Sequence, residues 1–165
     1  MVQPLLDIVA PARVSGADEA WVPLADLEGR ASPALEPWLA EPGLLTARVR
    51  AACGTATRLR LLRLVPAPLE PSVARRLGTD DRTCLLREIE FTCGVHRWIF
   101  AQSVFPQSTV QQHPWLRELG ENGLGESLSV VEDVRREPLE YRELRGGHGL
   151  ALAAGVVDPA QRVWA

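Results

Sequence analysis

The chain has 165 residues and a mass of 18.1 kDa, which is the length of one compact domain. Hydrophobic residues make up 46% and charged residues 24%, close to the averages of globular proteins, so a disordered chain is excluded. The net charge of −3 argues against a protein that binds nucleic acid through a large positive field. All 18 basic residues are arginine, which excludes chemistry that needs a lysine Schiff base or a P-loop lysine in this chain.

The N-terminal segment and the cysteines indicate the cellular compartment. Residues 1–14 lack the basic and apolar regions of a secretion signal, and the weakly polar run 149–157 is too short to span a membrane. The cysteines at Cys53, Cys84 and Cys93 are odd in number and have no CxxC spacing, so neither a disulfide framework nor a zinc knuckle is suggested. We therefore expect a cytoplasmic protein with buried thiols in a reducing compartment.

The first third of the chain predicts short helices. A short strand or turn is predicted around residues 21–24. Ser32 is a candidate N-cap, and the proline that follows it is typical of a first helical position; this helix is expected to end at residues 41–43. A second helix is predicted to open at residues 44–46 and to stop at Gly54.

The middle of the chain predicts strands. Residues 58–65 alternate between polar and apolar, with a phase slip at residues 61–62 that suits a β-bulge, and the proline-rich residues 66–71 are expected to be a connection. The strongest strand patterns are residues 84–91 and 98–105, joined by a hairpin-like turn.

The last third mixes short helices with weaker strand patterns. A helix is predicted through residues 114–119 with a stop at Gly120, and a glycine-rich turn leads into another short helix. Residues 130–144 are expected to form one or two strands. Because strands and helices are mixed without βαβ alternation, the sequence predicts an α+β domain on an antiparallel sheet.

Arg87 is the most informative residue. In the strand predicted at 84–91, the two-residue period places Leu85, Arg87 and Ile89 on one face, and Glu88 and Glu90 on the other face, expected to be solvated. A buried guanidinium needs a carboxylate from the protein or from a ligand, and its planar fork suits a bidentate grip. A structural ion pair, or an arginine at the sheet edge that reaches water, is the competing interpretation.

Gly123-Leu124-Gly125 is a second candidate, because flanking glycines let backbone amides approach an anion at a helix start. An ordinary turn between helices is the simpler interpretation. The histidines at 96, 113 and 148 have no metal-ligand spacing, and Ser103, Ser108 and Thr109 lack the nucleophile elbow of a hydrolase.

Residues 85–110 resemble the chorismate lyase family. The matching parts are the strand Leu-Leu-Arg-Glu-Ile, the turn that ends in Trp98, and the Ser-Val-x-Pro-x-Ser-Thr run 103–109. Trp-Leu at 38–39 with Leu-Leu-Thr at 44–46, and Leu-Gly at 119–120 with Gly-Leu-Gly at 123–125, occur in the same order as in the family. The resemblance covers about residues 37–144.

This resemblance implies a six-stranded antiparallel sheet with helices and a lyase that converts chorismate to 4-hydroxybenzoate and pyruvate, the first step of ubiquinone synthesis. It implies no cofactor, no metal, no nucleic-acid partner and a monomer. The ligand-gripping arginine of the family falls on Arg87, and the backbone contacts to the aromatic carboxylate fall on Leu45 and Leu124.

The chain departs from the family pattern in two ways. Gln102 stands where members commonly have an arginine. Family members also continue from a Trp-x-Arg-Arg segment into a last strand pair with a functional glutamate, and this chain stops at residues 162–165, where that segment should begin. We therefore expect one chorismate lyase-like domain over residues 1–165 that lacks this strand pair.

Two other functions compete with the lyase. The first is a binding domain of the same fold that holds an aromatic carboxylate without turnover, like the effector domains of GntR-type regulators. The second is a structural or partner-binding fragment in which Arg87 makes a protein ion pair. A carboxylate of the protein beside Arg87 favours the last interpretation, and an enclosed pocket against it favours the first two.

Overall fold

A computed structural model describes residues 21–26, 29–132 and 134–165. These residues form an α+β domain with antiparallel sheets, as the sequence predicts. The strands are β1 (Val22–Pro23), β2 (Thr57–Pro68), β3 (Thr83–Cys93), β4 (His96–Pro106), β5 (Glu140–Tyr141), β6 (Glu143–Arg145) and β7 (Arg162–Trp164). The helices are α1 (Glu36–Leu39), α2 (Leu45–Cys53), α3 (Pro71–Arg76), α4 (Gln107–Gln112), α5 (Leu124–Leu128) and α6 (Gly149–Ala153). Within the described ranges, no helix is long and apolar enough to cross a membrane.

The central sheet has the order β2-β3-β4, and all its pairs are antiparallel. The strands β3 and β4 form a hairpin in which Cys93 pairs with His96 across a two-residue turn. The register of β2 shifts between Leu61 and Arg63, which confirms the predicted bulge. Two small sheets, β1-β5 and β6-β7, complete the architecture of the described residues.

Both faces of β3 are covered. On one face Ile89 and Phe91 pack against Val49 of α2, and Leu85 packs against Val110 of α4. On the other face Cys84 and Leu86 pack with Leu69 and with Ala74 of α3. The middle strand is therefore buried on both sides, which explains why its residues 84–91 are all buried.

Several element boundaries differ from those predicted. The strand β2 runs through Pro66 and Pro68, which were expected in a connection; β2 is an edge strand of its sheet, where a missing amide donor is tolerated. The first helix begins at Glu36, because the carbonyl of Ser32 accepts the amides of Leu35 and Glu36 in a turn ahead of it. Between 130 and 144, the described residues contain only the short β5 and the start of β6, whose lengths are limited by their short partner strands.

The face of β3 that carries Glu88 and Glu90 is not solvated, which corrects the expectation from strand parity. Both glutamates are buried, and only 3% of the Glu90 side chain is exposed. Arg60 of β2 and Arg97 of β4 both pair with Glu90, while Arg63 pairs with Glu88. Neutralisation by arginines from neighbouring strands makes burial of these charges possible.

The cysteines also differ from expectation. Cys53, at the end of α2, and Cys93, at the end of β3, form a disulfide with a Cα–Cα distance of 5.7 Å. Cys84 is a buried free thiol, as predicted, and burial raises its pKa. The bond was missed because the two residues are 40 apart in sequence and meet only when the hairpin turn of β3 and β4 lies beside the end of α2.

Gly146 lies too close to the backbone of Asp158 for any larger residue to fit. A Cβ atom at this position would lie 1.8 Å from the carbonyl oxygen of Asp158, and this oxygen belongs to backbone. We expect Gly146→Ala to lower the free energy of unfolding by about 3 kcal/mol, measured by urea denaturation. The neighbouring Gly147→Ala is the matched control, since its φ of +87° makes alanine strained but a Cβ there meets no atom within 4 Å; its cost should be about 1–2 kcal/mol. Equal losses in the two variants would contradict the clash.

Candidate binding site

Arg87 lies in the middle of the central strand with no solvent-exposed surface. It shares its sheet face with Leu85 and Ile89, as the two-residue period predicts, and this face packs against helices. A fully buried arginine is rare unless it is paired, because removing a charge from water is costly.

The guanidinium is only partly satisfied by the protein. Its Nη2 atom donates to the carbonyl oxygens of Gly120 at 2.9 Å and of Asn122 at 2.6 Å, both in the loop before α5. Its Nε and Nη1 atoms are buried without a hydrogen-bond partner. Buried donors without partners are uncommon and call for an explanation, and a ligand is one.

No carboxylate of the described residues lies within ion-pairing distance of Arg87. Burial lowers the pKa of Arg87, but an arginine keeps its proton in proteins. The side chain therefore carries a positive charge with two free donors and no protein counter-ion among the described residues. A ligand carboxylate would supply both the charge and the acceptors.

The two predicted backbone contacts both open helices. Leu45 is the first residue of α2 and Leu124 is the first residue of α5. The amides in the first turn of a helix have no acceptor within the helix, so they are free to donate to a ligand. The side chain of Leu124 packs on the cluster of Leu85, and the loop just before it binds Arg87.

The glycines around Leu124 bring the starts of α2 and α5 together. A Cβ at Gly125 would lie 2.8 Å from Cδ2 of Leu44, and a Cβ at Gly123 would lie 3.2 Å from Oγ1 of Thr46. Both helix starts therefore meet at the loop that holds Arg87. The structure thus brings together the three elements that carry Arg87, Leu45 and Leu124.

The surroundings of this loop and strand are apolar. The cluster that includes Leu85 contains further aliphatic and aromatic side chains from β2, β4, the 3₁₀ turn 114–118 and the helices: Leu64, Phe105, Val110, Trp115, Leu116, Leu119 and Leu124. An aromatic ring attached to a carboxylate has the matching chemistry, with an apolar body and one anionic end.

Gln102 lies on the opposite face of the sheet from Arg87. Its Nε2 atom donates to Oε1 of Glu88 at 3.0 Å, and the register pairs these two residues. Because side chains alternate along a strand, the neighbouring Ser103 lies on the same face as Arg87. The departure from the family pattern at position 102 therefore falls on the face of Glu88, not on the face of the candidate site.

A separate cleft of about 580 Å³ lies near the hairpin turn, lined by Arg58, Arg60, Arg97 and Glu90 among others. It does not include Arg87. Two of its arginines already pair with Glu90, and Arg58 donates to backbone carbonyls of residues 55 and 57. Its cations are occupied by the protein, so Arg87 remains the stronger candidate.

Sequence reasoning missed the loop of residues 120–122 as the partner of Arg87. The contacts use carbonyl oxygens, which every residue has, so no side-chain pattern could indicate them.

Among the residues the structure describes, no group of three or more His, Cys, Asp or Glu is arranged to hold a metal ion.

These features define an α+β domain with a buried arginine on its central strand that lacks a protein counter-ion in the described residues. The model of the chorismate lyase family matches residues 17–153. The chain belongs to the chorismate lyase family.

Relatives support this assignment. The chain is 37% identical over 149 residues to a probable chorismate pyruvate-lyase of Halorhodospira halophila, covering 82% of this chain and 78% of that protein. It is 37% identical over 125 residues to a probable chorismate pyruvate-lyase of an Azoarcus species, covering 73% of this chain and 64% of that protein. A third protein of the same description, from Coxiella burnetii, is 28% identical over 130 residues, with coverages of 78% and 70%. The chain thus spans between just under two thirds and about three quarters of these relatives.

Proposed function

We propose that this protein is a lyase that converts chorismate to 4-hydroxybenzoate and pyruvate. One observation carries the proposal: Arg87 is fully buried, its Nε and Nη1 atoms have no hydrogen-bond partner, and it has no counter-ion among the described residues. The ring carboxylate of chorismate and of the product supplies what this side chain lacks. Membership of the chorismate lyase family supports the choice of substrate.

The proposed cradle has three parts. Arg87 binds the ring carboxylate through a free donor on Nε or Nη1, and the amides of Leu45 and Leu124 complete the contact from the helix starts. The apolar cluster around Leu85 receives the ring. Position and charge are then fixed before reaction, which reduces the entropy cost of reaching the transition state.

The reaction needs little from the protein beyond this binding. The bond between the ring carbon and the ether oxygen breaks, its electron pair leaves with the enolpyruvyl group, and a ring proton is lost as the ring becomes aromatic. The released enolate takes up a proton to become pyruvate. The ring carboxylate remains an anion from substrate to product, so fixed donors at this group can hold the ring in place throughout the reaction.

Several finer features belong to the same proposal. The reaction uses neither metal nor cofactor, the product enters ubiquinone synthesis, and the protein works as a monomer in the cytoplasm. A cytoplasm buffered by glutathione keeps most thiols reduced, so Cys53 and Cys93 would be paired only under oxidising conditions.

The test is release of pyruvate from chorismate, followed together with the ultraviolet absorbance of 4-hydroxybenzoate. We expect equimolar products at a rate above the spontaneous background measured with heat-denatured protein. Absence of turnover would contradict the lyase.

Binding without turnover is the second candidate function. It is favoured by one observation: the partners of Arg87 among the described residues are carbonyl oxygens, and no carboxylate lies within ion-pairing distance that could exchange a proton there. Calorimetric titration with 4-hydroxybenzoate separates the two functions. Binding without turnover supports a binding domain, and absence of both excludes each ligand-based function.

A further inference from the structure

Ser103 lies directly beside Arg87 in the central sheet. The register of β3 and β4 pairs the two residues. Opposite residues in antiparallel strands point to the same face, with Cβ atoms about 4.5–5.5 Å apart. The same-face neighbours of Ser103 along β4 are Ala101 and Phe105, so Ser103 provides the only hydroxyl in this apolar row of three.

The hydroxyl of Ser103 makes no hydrogen bond to any described residue, although the residue is half-buried. Other serines in the helices around the site differ in this respect. The hydroxyl of Ser108 donates to Asp81 at 2.7 Å, and the hydroxyl of Ser127 donates to the carbonyl of Gly123 at 3.1 Å. Ser103 therefore has a donor available on the face where Arg87 has two.

The side chains that β4 places next to these donors are small. Ala101 and Ser103 are the smallest side chains on this part of the Arg87 face, whereas Leu64 occupies the corresponding position on β2. A carboxylate that accepts a hydrogen bond from either Nε or Nη1 of Arg87 on the side of β4 would come within reach of the Ser103 hydroxyl.

We infer that Ser103 is a binding residue that donates a hydrogen bond to the carboxylate held by Arg87, and that it thereby selects carboxylate ligands over uncharged analogues. This inference rests on the proposed function and adds a fourth contact to the cradle. Hydrogen bonds to charged groups are stronger than those between neutral groups. Loss of the hydroxyl should therefore lower the affinity for anionic ligands more than the affinity for uncharged ones.

The experiment compares Ser103→Ala and Ser103→Thr with the unmodified protein. The dissociation constant is measured by calorimetry for 4-hydroxybenzoate and by ligand-observed NMR titration for the uncharged 4-hydroxybenzamide. We expect Ser103→Ala to raise the dissociation constant of 4-hydroxybenzoate about tenfold or more. The dissociation constant of 4-hydroxybenzamide should change by less than about threefold. The threonine variant retains a hydroxyl and should recover most of the affinity for the acid.

Ser72→Ala is the matched control. Ser72 is also half-buried with no side-chain hydrogen bond to a described residue, but its helix α3 packs on the opposite face of the sheet. Its replacement should leave both dissociation constants unchanged.

Three results would overturn the inference. Unchanged binding of 4-hydroxybenzoate by Ser103→Ala would show that the hydroxyl makes no contact. An equal loss of affinity for 4-hydroxybenzoate and for 4-hydroxybenzamide would indicate that Ser103 packs against the ligand and does not donate a hydrogen bond to its carboxylate. If the unmodified protein binds neither ligand, the Ser103 inference and the proposed function both fail, whereas the first two results leave the proposed function standing.

Discussion

Replacement of Arg87 with alanine is expected to lower kcat/KM for chorismate about a thousandfold. The side chain is fully buried, and its unpartnered Nε and Nη1 atoms are the donors available to the ring carboxylate. Removing one member of a buried charge pair costs about 3–5 kcal/mol, and about 4 kcal/mol corresponds to three orders of magnitude in rate. Steady-state kinetics with coupled detection of pyruvate measures the effect.

Three further variants make this test specific. Arg75→Ala removes an exposed arginine from α3 on the other side of the sheet and should leave kinetics unchanged. Arg87→Met keeps the packing of the aliphatic stem without the charge, so it should lose activity while its melting temperature shows that the protein folds. Arg87→Lys keeps a charge but not the planar fork, and we expect intermediate activity. Near-normal turnover in Arg87→Met would refute the assignment.

Reduction of the disulfide between Cys53 and Cys93 is expected to lower the free energy of unfolding by about 4 kcal/mol. The bond closes a loop over a sequence separation of 40 residues, and the loss of loop-closure entropy in the unfolded chain gives this magnitude. Urea denaturation with and without dithiothreitol measures it.

The double variant Cys53→Ser with Cys93→Ser supplies the control. It should match the reduced protein, and dithiothreitol should not change its stability further. Affinity for 4-hydroxybenzoate should change much less than stability, because Cys53 ends the nine-residue helix that Leu45 begins, about 12 Å away along its axis. Equal stability of oxidised and reduced protein would show that the bond does not constrain the chain.

The buried position of Arg87 could be predicted because it depends on local geometry alone. Strand alternation places Arg87 with Leu85 and Ile89, and the structure confirms that shared face. The stop of α2 at Gly54 and the bulge near Leu61 are equally local, since each follows from one residue or from one break in periodicity.

The burial of Glu88 and Glu90 could not be predicted in the same way. Parity assigns them to the face opposite Arg87, but whether that face meets water depends on what covers it. Arg60 and Arg97, from the two flanking strands, neutralise Glu90 and allow it to be buried. Their positions relative to Glu90 depend on strand register, which the sequence of one strand does not contain.

The candidate site shows the same division. The sequence by itself determined that a cation lies on the inner face of the central strand, and family motifs pointed to the helix starts at Leu45 and Leu124. Only the tertiary structure decided that the carbonyls of Gly120 and Asn122 bind Nη2 of the guanidinium and leave Nε and Nη1 without a partner. The physical reason is range: alternation and helix capping act within a few residues of one segment, whereas these contacts, like the disulfide, join segments more than 30 residues apart that meet only after the chain has folded.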